Sequence, residues 1–473
     1  MTDADRTLEP SADEMRRLVR LAMDRIVEHV ETLPHQRSGD THGGAELARA
    51  LQEGLPEQGA PFDELMEIVF QRAAPKSFNT AGPGYLAYIP GGGLFYSGLA
   101  DLIGDIVNRF VGVWEAAPGL VQLEANVIRW LCEMVGYPAG ALGFLTTGGS
   151  LANFSALVTA RRTRLPENFL SGTIYCSNQT HSSNLRAVML AGFPESAVRE
   201  IAVDARYRMR LDELERRIAA DRTAGLQPFF LVASAGTVNT GAVDDLPALA
   251  DLAAREKLWL HVDAAYGGFF VITARGRSTL RGIERADSVT LDPHKGMFLP
   301  YGTGSLLVRD GAMLRKAHGY GAHYLPAVQA DPDFIDFNQI SPELSRAFRG
   351  LRVWLPVKLH GIGAFRRNLD EKLDLTLWAT EQLRGIPGVE ILAEPQLSIV
   401  AFRLVRPGLG TAQLNDLNQR FLARINRRYR VYLSGTMLGE RFALRICVLS
   451  FRTHLERMQE GMEDIRAAAD EVT

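Results

Sequence analysis

The chain contains few cysteines, and they are widely separated. Among its 473 residues only Cys132, Cys176 and Cys447 are cysteines, and no two of them form a CxxC pair. This pattern argues against a disulfide framework and against a zinc site, so we expect no bound metal and a reducing compartment. Long hydrophobic runs are also missing. A membrane-spanning helix needs about 20 apolar residues, and no apolar run in the sequence is that long.

The N-terminus and the charge balance exclude further classes of protein. The opening residues, MTDADRTLEP, are polar and acidic, so we expect no secretory signal and a cytoplasmic location. The 52 basic and 55 acidic side chains give a formal net charge of −3. A nucleic-acid-binding protein usually carries a basic stripe, so we expect no nucleic acid as a partner. The lack of a membrane-spanning run predicts that no membrane is a partner either.

Strand-like and helix-like segments alternate through the middle of the chain. Short apolar strands are predicted at residues 173–176, 198–203, 228–233, 258–262 and 287–291, with helices between them. Alternation at this spacing is typical of an α/β fold with a mostly parallel sheet that is covered by helices on both faces. The closing part of the chain mixes strands and helices and predicts a small α+β domain.

The N-terminal region is predicted to be helical. Ser11 is an expected N-cap, and apolar side chains recur at helical spacing from Met15 to Val30. A single amphipathic helix is not stable alone, so it must pack on the body of the chain or on a second subunit. We divide the chain into an N-terminal helical segment (1–85), a large domain (86–350) and a small domain (351–473).

Two glycine-rich segments are candidates for ligand binding. Residues 79–93 interleave glycines with tyrosines and Ile89, whereas a flexible linker would be polar, which favours a functional loop. Thr147-Gly148-Gly149-Ser150 lies where a strand-like segment becomes the N-terminus of a helix, a position that favours phosphate. Such a turn also caps ordinary helices, and it is not a Walker loop because no Gly-Lys-Ser/Thr follows.

One lysine and one aspartate each follow a predicted strand. The strand at 287–291 leads into Asp292-Pro293-His294-Lys295-Gly296, and Asp263 follows the strand at 258–262. An isolated loop lysine is usually solvated, but burial or a neighbouring cation lowers the pKa of a lysine and makes it a nucleophile. Because parallel strands end at the same edge of a sheet, Asp263 and Lys295 should lie close together.

These groups match what one cofactor, pyridoxal phosphate, requires. The turn at 147–150 offers donors to the phosphate, and Lys295 offers an amine to the aldehyde. A carboxylate such as Asp263 keeps the ring nitrogen protonated by raising its pKa. An imidazole such as that of His181 can stack on the ring.

The same segments resemble the pyridoxal-phosphate-dependent group II amino acid decarboxylases, a family that includes aromatic L-amino acid, glutamate and histidine decarboxylases. The resemblance rests on residues 85–90, 179–183, 233–237, 261–268, 292–295 and the strand with Leu444-Arg445. It implies a fold type I structure with a mostly parallel central sheet, pyridoxal 5'-phosphate as the cofactor, and a homodimer whose N-terminal helices interlock.

The resemblance also implies roles for individual residues. Lys295 would hold the cofactor covalently, and Asp263 would bind its ring nitrogen. His181 and Ala265 would contact the two faces of the ring, and Thr237 would lie near its phenolic oxygen. The residues implied to hold the phosphate are Gly148, Gly149, Ser150, His294 and Asp292.

The predicted reaction depends on an irregular segment at about 314–344. A stretch of this length without regular structure predicts a lid or a mobile segment. By resemblance it is the catalytic loop, in which Tyr324 returns a proton to Cα, although Tyr320 lies close by and leaves this assignment open. The predicted reaction is decarboxylation of an L-amino acid to the amine and carbon dioxide. Its catalytic residues would be Lys295, Tyr324, His181 and Asp263.

The substrate pocket is predicted at Tyr88, Ile89, Pro90 and Trp114. By resemblance, Ile89 and Trp114 fall where the aromatic branch of the family lines its pocket, which favours an aromatic amino acid. The glycines at 91–93 are unusual for that branch, and the turn at 147–150 is closer to the glutamate branch. The side-chain preference therefore stays open.

Three alternatives to decarboxylation remain. An aldehyde synthase of this family would have phenylalanine at the catalytic tyrosine or asparagine at the stacking histidine, which Tyr324 and His181 disfavour. A lyase that cleaves a phosphorylated sphingoid base would need a membrane anchor or a lipid channel. A protein that binds pyridoxal phosphate without catalysis would show the absorbance of the bound cofactor but no turnover.

Overall fold

A seven-stranded sheet lies at the centre of the protein, whose computed structural model describes residues 8–320, 331 and 333–472. Its strands are β1 Leu142–Thr146, β2 Gly172–Ser177, β3 Val198–Ile201, β4 Gln227–Ser234, β5 Trp259–Asp263, β6 Ser288–Leu291 and β7 Gly304–Val308. They lie in the order β1-β7-β6-β5-β4-β2-β3. Only β7 runs against its neighbours, so the predicted, mostly parallel sheet is confirmed.

The register of the central strands brings their carboxyl ends together. Ser234 of β4 pairs with Asp263 of β5, and Asp263 pairs with Thr290 of β6. Every residue of β5 and β6 is buried, as expected for parallel strands that helices cover on both faces. The segment that carries Lys295 follows β6 directly, so it starts at this same edge.

Helices cover the sheet and extend beyond it. Those before β3 are α1 Ala12–Thr32, α2 Gly44–Ala50, α3 Phe62–Glu67, α4 Phe95–Val107, α5 Pro118–Val135, α6 Gly149–Arg164 and α7 Ser182–Leu190. Those after β3 are α8 Leu211–Thr223, α9 Leu246–Glu256, α10 Ala274–Thr279, α11 Pro293–Gly296, α12 Ala312–His318, α13 Gly350–Arg384, α14 Thr411–Asn426 and α15 Leu455–Glu471. None in the described part of the chain is long and apolar enough to cross a membrane.

A second, antiparallel sheet forms the core of the C-terminal region. Its strands are β8 Val389–Ala393, β9 Ile399–Leu404, β10 Ser434–Leu438 and β11 Arg441–Cys447, in the order β10-β11-β9-β8. Phe402 of β9 packs with Phe421 of α14 and Met458 of α15 in a separate hydrophobic core. The predicted small α+β unit is therefore confirmed.

Helix α13 connects the two cores. The sequence predicts two helices here, at residues 346–359 and 365–383. The structure joins them across Gly361, whose φ of 68° is left-handed and suits glycine. Phe365 and Leu369 belong to the core around the large sheet, whereas Ala379 and Leu383 belong to the second core. The division of the chain at residues 85 and 350 stays a prediction.

The predicted irregular segment begins later than expected. The prediction was wrong at residues 314–318, because helix α12 extends to His318 and buries Leu314 and Ala317. Beyond it, the residues at 333–349 contain one short 3₁₀ turn at Phe337–Gln339. The predicted catalytic Tyr324 lies outside the described residues.

Candidate active site

A cavity of about 430 Å³ lies at the carboxyl edge of the large sheet. Residues that end or follow β1, β4, β5 and β6 form its walls, as expected for ligand sites in parallel sheets. The predicted site residues on its walls are Tyr88, Ile89, Gly148, Gly149, Ser150, His181, Thr237, Asp263, Ala265, Asp292, His294 and Lys295. Within the described ranges, no group of His, Cys, Asp and Glu side chains could hold a metal ion.

Lys295 lies in the short helix α11, where Pro293 occupies the first turn. Its Nζ is 2.8 Å from Oδ2 of Asp292, a carboxylate with only 2% of its side chain exposed. Burial alone would lower the pKa of Lys295, but the charge and hydrogen bond of Asp292, with help from Asp263, raise it. The expectation of a lowered pKa is therefore wrong for this arrangement, because the nearest charges are anionic.

Asp263 is a buried carboxylate that accepts several hydrogen bonds. Its Oδ2 accepts from Nδ2 of Asn153 at 2.9 Å and from Nδ2 of Asn184 at 2.8 Å, and its Oδ1 accepts from the N–H of Ala265 at 3.3 Å. Burial would raise the pKa of Asp263, but the Asn184 hydrogen bond and the charge of Lys295 hold it below the ordinary value. Asp263 is consequently an anion.

His181 forms the N-cap of α7 and lines the cavity. Its Nδ1 accepts a hydrogen bond from the backbone N–H of Ser183 at 3.2 Å and lies 2.7 Å from the Ser183 hydroxyl. These two contacts fix the orientation of the ring. Ala265, which is nearly buried, lines the same cavity with a side chain that is only a methyl group. A flat ring could therefore lie between an imidazole and a methyl group.

The turn between β1 and α6 forms a narrow cradle. The hydroxyl of Thr146 donates to the Gly148 carbonyl at 2.9 Å and accepts from the Gly148 N–H at 3.2 Å, which holds the turn in place. A Cβ atom at Gly149 would lie 3.0 Å from Asp292 Oδ2 and 3.2 Å from the Ala265 methyl. Glycine therefore keeps space open at a helix N-terminus, where a phosphate is stabilised.

His294 and Asp292 complete this end of the cavity. Nδ1 of His294 lies 2.7 Å from the Thr303 carbonyl, so Nδ1 carries the proton and donates it. Burial lowers the pKa of His294. Oδ1 of Asp292 is buried and has no hydrogen-bond partner within the described part of the chain. A buried acceptor of this kind can take a hydrogen bond from a donor group that enters the cavity.

Together these residues fit pyridoxal phosphate. A lysine, a buried anionic carboxylate, an imidazole and a glycine cradle at a helix start surround one cavity. The family model "Pyridoxal-dependent decarboxylase conserved domain" matches residues 45–405. The chain belongs to this family. It is a pyridoxal-phosphate-dependent amino acid decarboxylase.

Known proteins similar to this decarboxylase include enzymes for aromatic substrates. The aromatic-L-amino-acid decarboxylase of Bacillus atrophaeus is 36% identical over 98% of both chains. The Oryza sativa TDC solved with PLP and tryptamine is 26% identical, with a TM-score of 0.93 over 98% of this chain and 99% of that chain. The 4-hydroxyphenylacetaldehyde synthase of Rhodiola rosea shares the fold, with a TM-score of 0.89 over 98% and 99% of the two chains, at 22% identity.

Two predicted pocket residues of the decarboxylase do not reach the cavity of this chain. Trp114 stacks on Phe334 with ring centroids 4.2 Å apart, and its backbone N–H donates to Asp336 at 2.7 Å. Pro90 is buried beside Ile89 but is not part of the cavity wall. The ring of Trp114 is held by Phe334, and neither Trp114 nor Pro90 lines the described cavity.

The decarboxylase also has site residues that sequence reasoning missed. Tyr301 lines the cavity with 59% of its surface exposed, and its hydroxyl interacts with Thr80. Asn153 and His261 lie behind Asp263 in a hydrogen-bond chain. A signal for His261 was present, because residues two apart on a strand share a face, and His261 lies two residues before Asp263.

Proposed function

We propose that this decarboxylase converts an aromatic L-amino acid to the corresponding amine and carbon dioxide. The observation that carries the proposal is the position of Lys295 and Asp263 in one cavity that contains no arginine among its described wall residues. An acidic substrate would need a cation for its side-chain carboxylate, and Lys295 is already paired with Asp292. The aromatic substrates named for the similar enzymes support the same choice.

The shape and lining of the cavity also favour an aromatic side chain. Its wall includes the aromatic rings of Tyr88 and Tyr301 and the aliphatic side chains of Ile89 and Val238. Tyr88 adopts a left-handed backbone with a φ of 50°, and its carbonyl accepts a hydrogen bond from the buried Arg445 at 3.0 Å. This contact with the second sheet fixes the loop that carries Tyr88 and Ile89.

The residues around the cavity have distinct proposed roles. Pyridoxal phosphate, when bound, supplies an electron sink for the electron pair that remains as carbon dioxide leaves. Lys295 holds the cofactor covalently, and the anionic Asp263 keeps a proton on the ring nitrogen. His181 and Ala265 cover the ring faces. The residues proposed to bind the phosphate are Gly148, Gly149, Ser150 and His294, and Thr237 is proposed to lie near the phenolic oxygen.

Asp292 has a different role in this proposal from the one that the resemblance implied. An ionised carboxylate repels a phosphate, and the Asp292 carboxylate lies 2.8 Å from Lys295 Nζ. We therefore assign Asp292 to orienting Lys295 and to holding its proton. The backbone N–H groups of the turn before α6 are left as the principal phosphate donors.

Protonation of the substrate Cα decides between decarboxylation and aldehyde synthesis. We propose Tyr324 as the donor. The cavity residue Tyr301 is the second candidate, because it lines the cavity and is 59% exposed. The presence of His181, and not asparagine, supports decarboxylation without oxidation. Tyr324→Phe should lower the amine yield and raise aldehyde and peroxide; if Tyr301→Phe does so instead, Tyr301 is the donor.

A panel of the common L-amino acids tests the proposed reaction. Carbon dioxide and an aromatic amine are the expected products, and a matching signal from glutamate instead would refute the substrate class. Aldehyde, ammonia and peroxide from the wild type would favour the synthase. Turnover of no amino acid despite bound cofactor would favour a non-catalytic protein. Lys295→Ala should abolish the visible absorption of the lysine-bound cofactor.

We also propose that the enzyme is a cytoplasmic homodimer. Helix α1 buries none of its residues, and its Val19 and Val27 are 49% and 42% exposed. Helix α4 exposes Ile103 and Ile106 by 42% and 79%. Apolar surfaces of this kind are typical of subunit interfaces. The three cysteines are buried and free, which supports a reducing compartment.

Sedimentation measurements test the dimer. Ile106→Glu should shift the enzyme from dimer to monomer at micromolar concentration, because it places a charge in an apolar contact. Leu455→Glu is the control, since Leu455 is also an exposed apolar residue (41%) but lies in α15. A monomeric wild type, or equal effects of both variants, would refute this interface.

A further inference from the structure

A buried hydrogen-bond chain lies behind the active site, with Asn153 of α6 at its centre. The amide Nδ2 of Asn153 is 2.9 Å from Asp263 Oδ2 and 3.0 Å from Ser183 Oγ. Its amide oxygen is 3.1 Å from Nε2 of His261. Asn153 is 2% exposed and His261 is fully buried, so these protein groups, and not solvent, satisfy one another.

The direction of each hydrogen bond follows from the groups themselves. An ionised carboxylate only accepts, so Asn153 must turn its NH₂ group toward Asp263 and its oxygen toward His261. That oxygen also only accepts, so His261 must carry a proton on Nε2. Nδ1 of His261 then accepts from the Ser288 hydroxyl at 2.8 Å, whose oxygen accepts from the Trp259 indole N–H at 2.8 Å.

This arrangement makes His261 a neutral histidine of one tautomer. Nε2 donates to Asn153, and the Ser288 hydroxyl can turn its hydrogen toward Nδ1, so a neutral ring has a partner at both nitrogens. Burial lowers the pKa of His261 to about 4, which agrees with a neutral ring at physiological pH. His261 therefore stabilises the orientation of Asn153 and contributes no net charge behind Asp263.

A second branch leads from Asn153 to His181. The other amide hydrogen of Asn153 donates to Ser183 Oγ, so the hydroxyl hydrogen of Ser183 is directed to Nδ1 of His181 at 2.7 Å. The Ser183 backbone N–H donates to the same nitrogen. Nδ1 of His181 is consequently an acceptor, and a neutral His181 carries its proton on Nε2. His181 thus offers a donor, and not an acceptor, to a ligand in the cavity.

We propose that Asn153 is a positioning residue that decides which atoms carry protons around the ring-binding groups. It holds Asp263 as a pure acceptor, separates it from His261 by a neutral amide, and directs the Ser183 hydroxyl to His181. Asp263 then keeps its whole negative charge for the ring nitrogen. The proposal rests on the proposed roles of Asp263 and His181, but the proton arrangement itself does not depend on the substrate.

The test compares Asn153→Leu with Asn184→Leu in the holoenzyme. Asn184 donates to the same Asp263 oxygen at 2.8 Å but contacts neither His261 nor the Ser183 hydroxyl, so it is the matched control. Each variant removes one hydrogen bond to a charged group, and each should lower kcat/KM by about tenfold or more. Activity therefore does not separate the two variants, whereas the histidine tautomers do.

Long-range ¹H–¹⁵N NMR spectra of ¹⁵N-histidine-labelled enzyme report the tautomers directly. In the wild type and in Asn184→Leu, the proton of His261 should lie on Nε2, and Nδ1 of His181 should act as an acceptor. In Asn153→Leu, His261 loses its acceptor and should shift toward the Nδ1–H form. A wild-type His261 that carries the proton on Nδ1, or on both nitrogens, would overturn the proposal, as would identical His261 spectra of the two variants.

Two variants at position 261 keep the test open if Asn153→Leu does not fold. His261→Gln retains an N–H donor toward the Asn153 oxygen, whereas His261→Leu removes it. The absorption of the bound cofactor should keep its wild-type pH profile in His261→Gln and lose it in His261→Leu; equal profiles would overturn the proposal. An enzyme that decarboxylated no amino acid would refute the proposed function, yet its tautomers would still decide the role of Asn153.

Discussion

Replacing Asp292 by asparagine should make Lys295 reactive at lower pH. Asp292 Oδ2 lies 2.8 Å from Lys295 Nζ, and the carboxylate is 2% exposed. Burial favours the neutral amine, but the carboxylate outweighs burial and raises the pKa of Lys295. Asp292→Asn keeps a polar side chain of the same shape and removes the charge, so burial then dominates and the pKa falls.

The size of the effect follows from the burial of the pair. Separating a buried ion pair costs about 3 kcal/mol or more. A free-energy change of about 1.4 kcal/mol corresponds to one pH unit in a titration midpoint, and the pKa of Lys295 falls because the anionic partner that raised it is gone. Only the neutral amine attacks an aldehyde. The pH midpoint for cofactor uptake by apoenzyme should therefore move down by about two units.

Stopped-flow absorption measures that midpoint. Apoenzyme is mixed with pyridoxal phosphate at a series of pH values, and the rate of appearance of the visible band is followed. Asp374→Asn is the control, because Asp374 pairs with Arg275 in an exposed ion pair and lines no part of the cavity. A midpoint that stays in place or moves upward in Asp292→Asn would refute the reasoning.

Two further predictions concern the cradle and a buried carboxylate. Gly149→Ala should weaken cofactor binding by about tenfold, because the new Cβ lies 3.0 Å from Asp292 Oδ2 and overpacking costs about 1–3 kcal/mol. Titration of apoenzyme with cofactor measures the affinity. The control is Gly119→Ala, whose new Cβ meets no atom within 4 Å and which should bind the cofactor normally. Burial raises the pKa of Asp244 to about 6, so the native protein binds this proton more tightly than the unfolded protein does. The free energy of unfolding of the wild type should therefore fall, relative to that of Asp244→Asn, as the pH rises from about 4 to about 6. Urea unfolding at several pH values checks this, and a difference that is constant over the window would contradict it.

The sequence predicted the helices best where proline or glycine marks their ends. Helix α5 begins at Pro118, whose fixed φ suits the first turn, and ends before Gly136, whose φ of 89° is left-handed. The sequence predicts this helix at residues 118–135, and the structure has the same bounds. Strands β8 and β10 were missed; both lie at the edges of the small sheet, where most of their residues are not buried, so burial imposes little pattern on their sequence.

The active site was predictable only where a residue's place along the chain determines its place in space. Asp263 and Lys295 each follow a parallel strand, and such strands end at one edge of a sheet. Trp114 depends instead on the packing of Phe334, which lies more than 200 residues later, and the sequence gives no sign of that contact. Asn153 was missed for a similar reason, since its partners come from β5 and α7.

Two carboxylates in the cavity receive different partners, and this difference separates their functions. Asp292 is three residues before Lys295, and the turn of α11 brings their side chains together, so a local contact neutralises the lysine. Asp263 arrives through the sheet register and meets the amide hydrogens of Asn153 and Asn184, which stabilise an anion without neutralising it. Its charge is therefore left for a cation that enters the cavity. A protonated ring nitrogen would be such a cation, and this supports the role proposed for the aspartate at the end of β5, rather than for the one beside the lysine.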